Sequence, residues 1–238
     1  MQKNLGNNFK GKMANDNQSQ VFITRTGRKI FYTGEVDEYG INELIHTLAD
    51  IEAEDDEIVP QNKLEDFIAD VLDIVSTEDK KVNKKHLESF EDVANTYKNN
   101  SSFDREPINL YISSRGGEVT EALSFIDYIR LMKTPVWTYA IGKTMSAGLL
   151  MLIAGDRRFA TLNATVLLHQ LSGGIFGTYQ KILDEVEEME RTHDIINDLI
   201  MLYTNIDEKL LREIEEKNYD YYMSAEQALE FGIIDEII

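Results

Sequence analysis

Cysteine is absent from the 238-residue chain, which excludes disulfides and thiolate metal sites. Positive charge is scarce: 24 Lys and Arg stand against 43 Asp and Glu, a formal net charge of -19. Nucleic acid is therefore a poor candidate partner, because phosphate binding relies on Lys and Arg to neutralise the backbone. No apolar run approaches the roughly 18 residues that a membrane span needs. Residues 1–20 are polar, rich in Asn, Gln and Lys, and lack the apolar segment of a secretory signal. They are expected to form a disordered tail, and a cytoplasmic location fits the missing cysteines. What the chain does have is 42% hydrophobic residues, enough for one sizeable core or a core plus an appendage.

Apolar periodicity divides the chain into elements. Val21–Ile23 and Lys29–Tyr32 read as strands around a turn at Thr26 and Gly27. Ile41, Leu44, Ile45, Leu48 and Ile51 recur at helical spacing. From Glu52 to Asp79 there are eleven carboxylates and one lysine, yet Leu64, Phe67, Ile68, Val71, Leu72 and Val75 keep a helical stripe. A second helix is expected around Leu87, Phe90, Ala94 and Tyr97, so 55–105 reads as an acidic, mostly helical insertion whose charges form a solvated face. Beyond it strands and helices alternate. Strands are expected at Ile108–Ile112, Pro135–Ile141 and Thr165–Leu168, and an apolar helix at Ser146–Ala154. A long helix carries Ile182, Val186, Met189, His193, Ile196, Ile200 and Tyr203 on one seam, suited equally to an interface or to core burial. Ser224 and Gln227 form a capping box, Gly232 ends that last helix, and Ile233–Ile237 is expected as a final strand. The alternation predicts an α/β fold.

Three segments carry candidate chemistry. In Ile141–Gly148 a strand is expected to end at Gly142, and an apolar helix begins near Ser146. A serine there sits at the positive end of a helix dipole, with the next N–H able to face an oxyanion. Only half of a G-x-S-x-G elbow is present, since Thr144 takes the first glycine position, and Ser146 read alone is as well a simple helix N-cap. His169 closes an apolar strand and opens a loop containing Gly173, Gly174 and Gly177; a general base and a hydrogen-bonded structural histidine both fit. His46, His86 and His193 lie in helical stretches and share no metal-ligand spacing. Ser113-Ser114-Arg115-Gly116-Gly117 follows a strand, where paired glycines allow close backbone approach or simply a tight turn.

The order of these motifs resembles the proteolytic subunit of the Clp protease, from Arg28 onward and apart from the insertion. Arg28–Val36, Asn109–Gly117, Ile141–Gly148, Leu168–Gln170 with Gly173-Gly174, and Met223–Glu226 carry the resemblance. It implies a crotonase-like (Clp-peptidase-like) α/β fold, a ββα superhelix with a long handle helix, to which this chain adds a helical insertion. It further implies Ser146 as nucleophile, His169 as base and Asp220 as the acid that orients the histidine, with the N–H groups of Gly117 and Ala147 as the oxyanion hole. Nothing in the local sequence singles out Asp220. No metal or organic cofactor is implied. The partners implied are further copies of the chain in stacked heptameric rings, an AAA+ unfoldase that spends the ATP, and polypeptide substrates.

Departures from that pattern are Arg115 in place of a proline, Tyr219 in place of an arginine, the start of the chain and the acidic insertion. Three rivals stay in view: a catalytically silent ring subunit or scaffold, a crotonase-type acyl-CoA enzyme, and a Ser-Lys peptidase using Lys143.

Overall fold

The computed structural model describes residues 21–58 and 105–238; the expected tail 1–20 and residues 59–104, which hold most of the acidic stretch, lie outside the described residues. The chain opens with β1 (Phe22–Thr26) and β2 (Lys29–Thr33), antiparallel about a turn in which Gly27 takes a φ of +59°. Helix α1 (Glu38–Ile58) follows, and residues 55–58, the opening of the acidic stretch, continue it. The described chain resumes with β3 (Ile108–Ser114), α2 (Val119–Leu131), β4 (Val136–Met145), α3 (Ala147–Ile153), β5 (Arg157–Ala160) and β6 (Thr165–Leu168). It ends with α4 (Tyr179–Tyr203), α5 (Glu208–Lys217), β7 (Tyr221–Met223), α6 (Ala225–Glu230) and β8 (Glu236–Ile237).

The sheet order is β1-β2-β3-β4-β5-β8, with β6 on β4 and β7 on β6. All neighbours from β2 to β8 along that path are parallel, as short crossover helices require. Strand β4 serves two partners. Its Trp137–Ala140 half pairs with β5 and its Lys143–Met145 half with β6, the change falling at Gly142 with a φ of +63°. The strand therefore does not end at Gly142, as its glycine suggested. A glycine in a strand marks a bend as readily as a stop, and here the chain continues to the residue before Ser146.

Alternation along β3 turns Ile108, Leu110 and Ile112 into the core. They meet Ile41, Leu44, Leu48 and Ile51 of α1 and Phe125 and Ile126 of α2, all buried. Every residue of α3 is buried, as expected of a helix apolar all round. The opposite face of the sheet carries a stack of rings, Phe31 on Tyr111 at 4.8 Å, Tyr111 on Tyr139 at 4.5 Å and Tyr139 on Phe159 at 4.6 Å between centroids.

Along α4 the seam divides. Leu199 and Ile200 are buried, whereas Ile182, Leu183 and Val186 are 37%, 45% and 40% exposed, so the body of the chain does not cover the first half of this helix. Where the acidic stretch leaves and rejoins the body, Arg105 pairs with Asp56 at 2.6 Å and donates to Thr134, while Arg28 pairs with Asp55 at 2.8 Å. Among the described residues no helix is long and apolar enough to cross a membrane.

Candidate active site

Ser146 lies between β4 and α3 with φ 53° and ψ -124°, one of two described non-glycine residues at positive φ. Such a conformation costs roughly 1–3 kcal/mol and persists only where the surroundings impose it. Its N–H donates to the Leu167 carbonyl at 3.0 Å, and its own carbonyl accepts from Leu149 N–H at 2.8 Å. Its side chain makes no capping hydrogen bond. The N-cap reading of Ser146 is thereby excluded for the hydroxyl, which is left free at the helix terminus.

The glycine loop packs directly on this serine. A Cβ on Gly116 would stand 2.6 Å from Ser146 Cβ and 3.1 Å from its Oγ. Gly116 N–H donates to Ser114 Oγ at 3.1 Å, and Ser114 is buried. Val36 clamps the other side of the loop: its N–H donates to Gly116 O at 2.8 Å, and its carbonyl accepts from Glu118 N–H at 2.7 Å. A Cβ on Gly117 would fall 2.2 Å from the Val36 carbonyl oxygen, so only glycine fits. This clamp leaves the Gly117 N–H unused. Among the described residues no backbone acceptor takes the N–H of Gly117 or of Ala147, the first residue of α3. Two unspent donors on rigid backbone beside a free hydroxyl are the elements that stabilise an oxyanion.

His169 directly follows β6, and Asp220 directly precedes β7. The antiparallel ladder pairs Val166 with Met223, Leu167 with Tyr222 and Leu168 with Tyr221. The ladder stops there; the same register carried one residue further would set Asp220 across from His169. Gln170 donates to the Asn218 side chain just past that step, tying the same two segments together. Because β6 also pairs with β4 up to Met145 and Leu167, the fold brings the segments of Ser146, His169 and Asp220 to one corner of the sheet. It does not join their side chains: among the described residues no hydrogen bond links Ser146 with His169 or His169 with Asp220.

Lys143 belongs to β4 rather than to a turn, and no hydrogen bond connects it to Ser146. His193 on α4 contacts the Glu215 carboxylate at 2.8 Å, a structural pairing between α4 and α5. Among the described residues no three His, Asp or Glu side chains cluster as a metal ion would need. Sequence reasoning missed Ser114, Val36 and the Leu167 carbonyl as supports of the site. Each lay in a segment the sequence had marked, but nothing local gave it a supporting role.

A model of the Clp protease family matches residues 92–238. The ATP-dependent Clp protease proteolytic subunit of Deinococcus radiodurans is 38% identical over 136 residues, which cover 56% of this chain and 65% of that protein. The ATP-dependent Clp protease proteolytic subunit 2 of Treponema pallidum is 38% identical over 135 residues, 56% of this chain and 67% of that protein. The chain thus spans about two thirds of the length of these curated relatives.

Proposed function

Because this chain belongs to the Clp protease family, we propose that it is a serine endopeptidase in which Ser146 is the nucleophile, His169 the general base and Asp220 the group that orients the histidine. The observation that carries the reading is the strained, uncapped Ser146 at φ 53°, packed against a glycine loop. Strain of this kind, at a strand-to-helix junction, holds a hydroxyl clear of local hydrogen bonds so that it can attack.

In the proposed reaction His169 takes the hydroxyl proton as Ser146 Oγ attacks the peptide carbonyl, and Asp220 fixes the imidazole tautomer. The oxyanion is received by the N–H groups of Gly117 and Ala147; losing one such donor costs about 3–4 kcal/mol of barrier. His169 then returns the proton to the leaving amine, and water releases the acyl group from the serine. His169 and Ser146 must come within hydrogen-bond reach for the first step. Catalytic hydrogen bonds commonly close only once substrate is bound.

The chain is further proposed to assemble into heptameric rings, single or stacked, that enclose these sites, and to receive unfolded polypeptide from an AAA+ unfoldase in the cytoplasm. The uncovered apolar residues Ile182, Leu183 and Val186 on α4 support a role for that helix in joining subunits. One observation favours a second reading, a catalytically silent ring subunit: the missing Ser146–His169 hydrogen bond.

Labelling with a fluorophosphonate, read by intact mass, separates the two. An active peptidase takes one adduct on the wild type and none on Ser146→Ala. An assembled ring that takes none is the silent subunit.

A further inference from the structure

At the carboxyl ends of β2, β3 and β4 a cavity of about 470 Å³ is lined by Thr33, Glu35, Ser113, Arg115, Gly142 and Lys143, among others. The carboxyl ends of parallel strands are where α/β sheets receive ligands. Arg115 immediately precedes Gly116, whose backbone packs on Ser146, and Lys143 stands three residues before that serine on β4. Both side chains are exposed.

The chain has nine arginines, all among the described residues. Eight of them form ion pairs, with Glu54, Asp55, Asp56, Asp127, Glu236, Asp235, Glu188 and Glu208. Arg115 is the one that does not, and Lys143 likewise has no carboxylate partner among the described residues. In a chain of net charge -19, carboxylates are abundant enough to occupy nearly every guanidinium. Two unoccupied cations in one cavity, carried by the glycine loop that packs on Ser146 and by the strand that leads into it, therefore reverse the sign of the surface locally. Even with Glu35 in the lining, the cavity's formal charge is positive.

We propose that Arg115 and Lys143 form a subsite that selects peptides bearing a carboxylate side chain next to the cleaved bond. The proposal rests on the reading of Ser146 as nucleophile. A guanidinium offers a planar fork to a carboxylate, and an ammonium on the neighbouring parallel strand adds a point charge. The Ser113 hydroxyl lies in the same lining. The subsite also offsets the repulsion that the acidic surface exerts on an anionic chain.

The test uses the full chain and three fluorogenic peptides identical except for Glu, Gln or Lys at the residue flanking the scissile bond. Exposed charge pairs are individually modest, so kcat/KM is expected to favour Glu by roughly three- to tenfold at low salt. The preference shrinks toward one at about 1 M salt. Lys143→Glu is expected to invert the order, favouring a Lys peptide over the Glu peptide, which a merely structural defect would not do. Arg115→Lys is expected to keep the preference for Glu. Equal rates for the Glu and Gln peptides, or an unaltered ratio in Lys143→Glu, overturn the subsite. An altered oligomeric mass in Arg115→Glu with an unaltered ratio overturns it too, by assigning the cations to contacts between copies. Fluorophosphonate labelling of the same samples keeps the two readings apart. A labelled serine with equal rates removes the subsite alone, whereas no label and no cleavage removes the nucleophile and the subsite with it.

Discussion

Replacing Gly116 by alanine tests the site at its tightest contact. The added methyl would lie 2.6 Å from Ser146 Cβ and 3.0 Å from the Met145 carbonyl oxygen, about 0.8 Å and about 0.4 Å short of ordinary contact at 3.4 Å. Neither neighbour is the far end of a flexible side chain, so loop and serine must separate. Gly116 also holds a φ of +103°, which an L side chain tolerates only with about 1–3 kcal/mol of strain. Together with overpacking, the expected stability loss is about 2–4 kcal/mol. A misplacement approaching 1 Å in reacting groups costs on the order of a hundredfold in rate, and fluorophosphonate labelling of Ser146 is expected to slow by about that factor. Gly27→Ala is the control. Its φ is +59° but nothing lies within 4 Å of the new methyl, so it is expected to cost about 1–2 kcal/mol with labelling unchanged. Urea unfolding gives the stabilities, and intact mass against time gives the rates. A folded Gly116→Ala protein that labels at the wild-type rate would falsify the placement of the loop against the nucleophile.

Other outcomes follow from the packing and the charges. Leu149→Ala, at a fully enclosed position of α3, is expected to cost about 2–5 kcal/mol in urea unfolding. Arg105→Ala is expected to cost about 1–3 kcal/mol by the same measurement; breaking a buried pair costs more, but the Asp56 partner is 48% exposed and partly screened. At Asp55 burial pushes the carboxyl up, but hydrogen bonds from Arg28 and Thr134 and the charges of Arg28 and Arg105 outweigh it, so the native value lies below the ordinary one. The stabilisation is therefore complete above the unfolded value near pH 4 and is lost as pH falls through the lower native value. Asp55→Asn is expected to show a smaller drop in urea midpoint than wild type between about pH 5 and pH 3. Tyr32→Phe removes the hydrogen bond to the Glu35 carbonyl at 2.7 Å and is expected to cost about 1 kcal/mol.

How much of this was legible in the sequence depended on the range of the interaction concerned. The capping box of Ser224 and Gln227 and the helix end at Gly232, where φ is +64°, are local, and both stand as read. The α/β class followed from alternating periodicities that each element sets for itself. The path of β4 through Gly142 was misread, because only its second partner, β6, makes that stretch a strand. The final strand shrank to Glu236–Ile237, since β5 offers only a short edge there. The conformation of Ser146 is fixed by the Leu167 carbonyl behind it and Gly116 against it, two contacts that no local pattern encodes. The approach of the Asp220 and His169 segments depends on pairing of β6 with β7, far apart in the chain; the neighbouring Gln170–Asn218 bond spans 48 residues. The resemblance to a family, not the local residues, pointed to Asp220.

The ring stack on the face of the sheet turned away from the α1 and α2 core gives this protein a built-in reporter. Its single tryptophan, Trp137, sits at the margin of that stack, 5.6 Å from the Phe159 ring and with the Arg157 guanidinium 5.1 Å from its centre. Tyr139, two residues along the same strand, is within easy range for passing excitation to the indole. Emission therefore comes from one known place on one face. Whatever covers that face changes the polarity around the indole and the reach of the quenching cation. Shielding there can be followed in the unlabelled protein as a shift in colour and intensity.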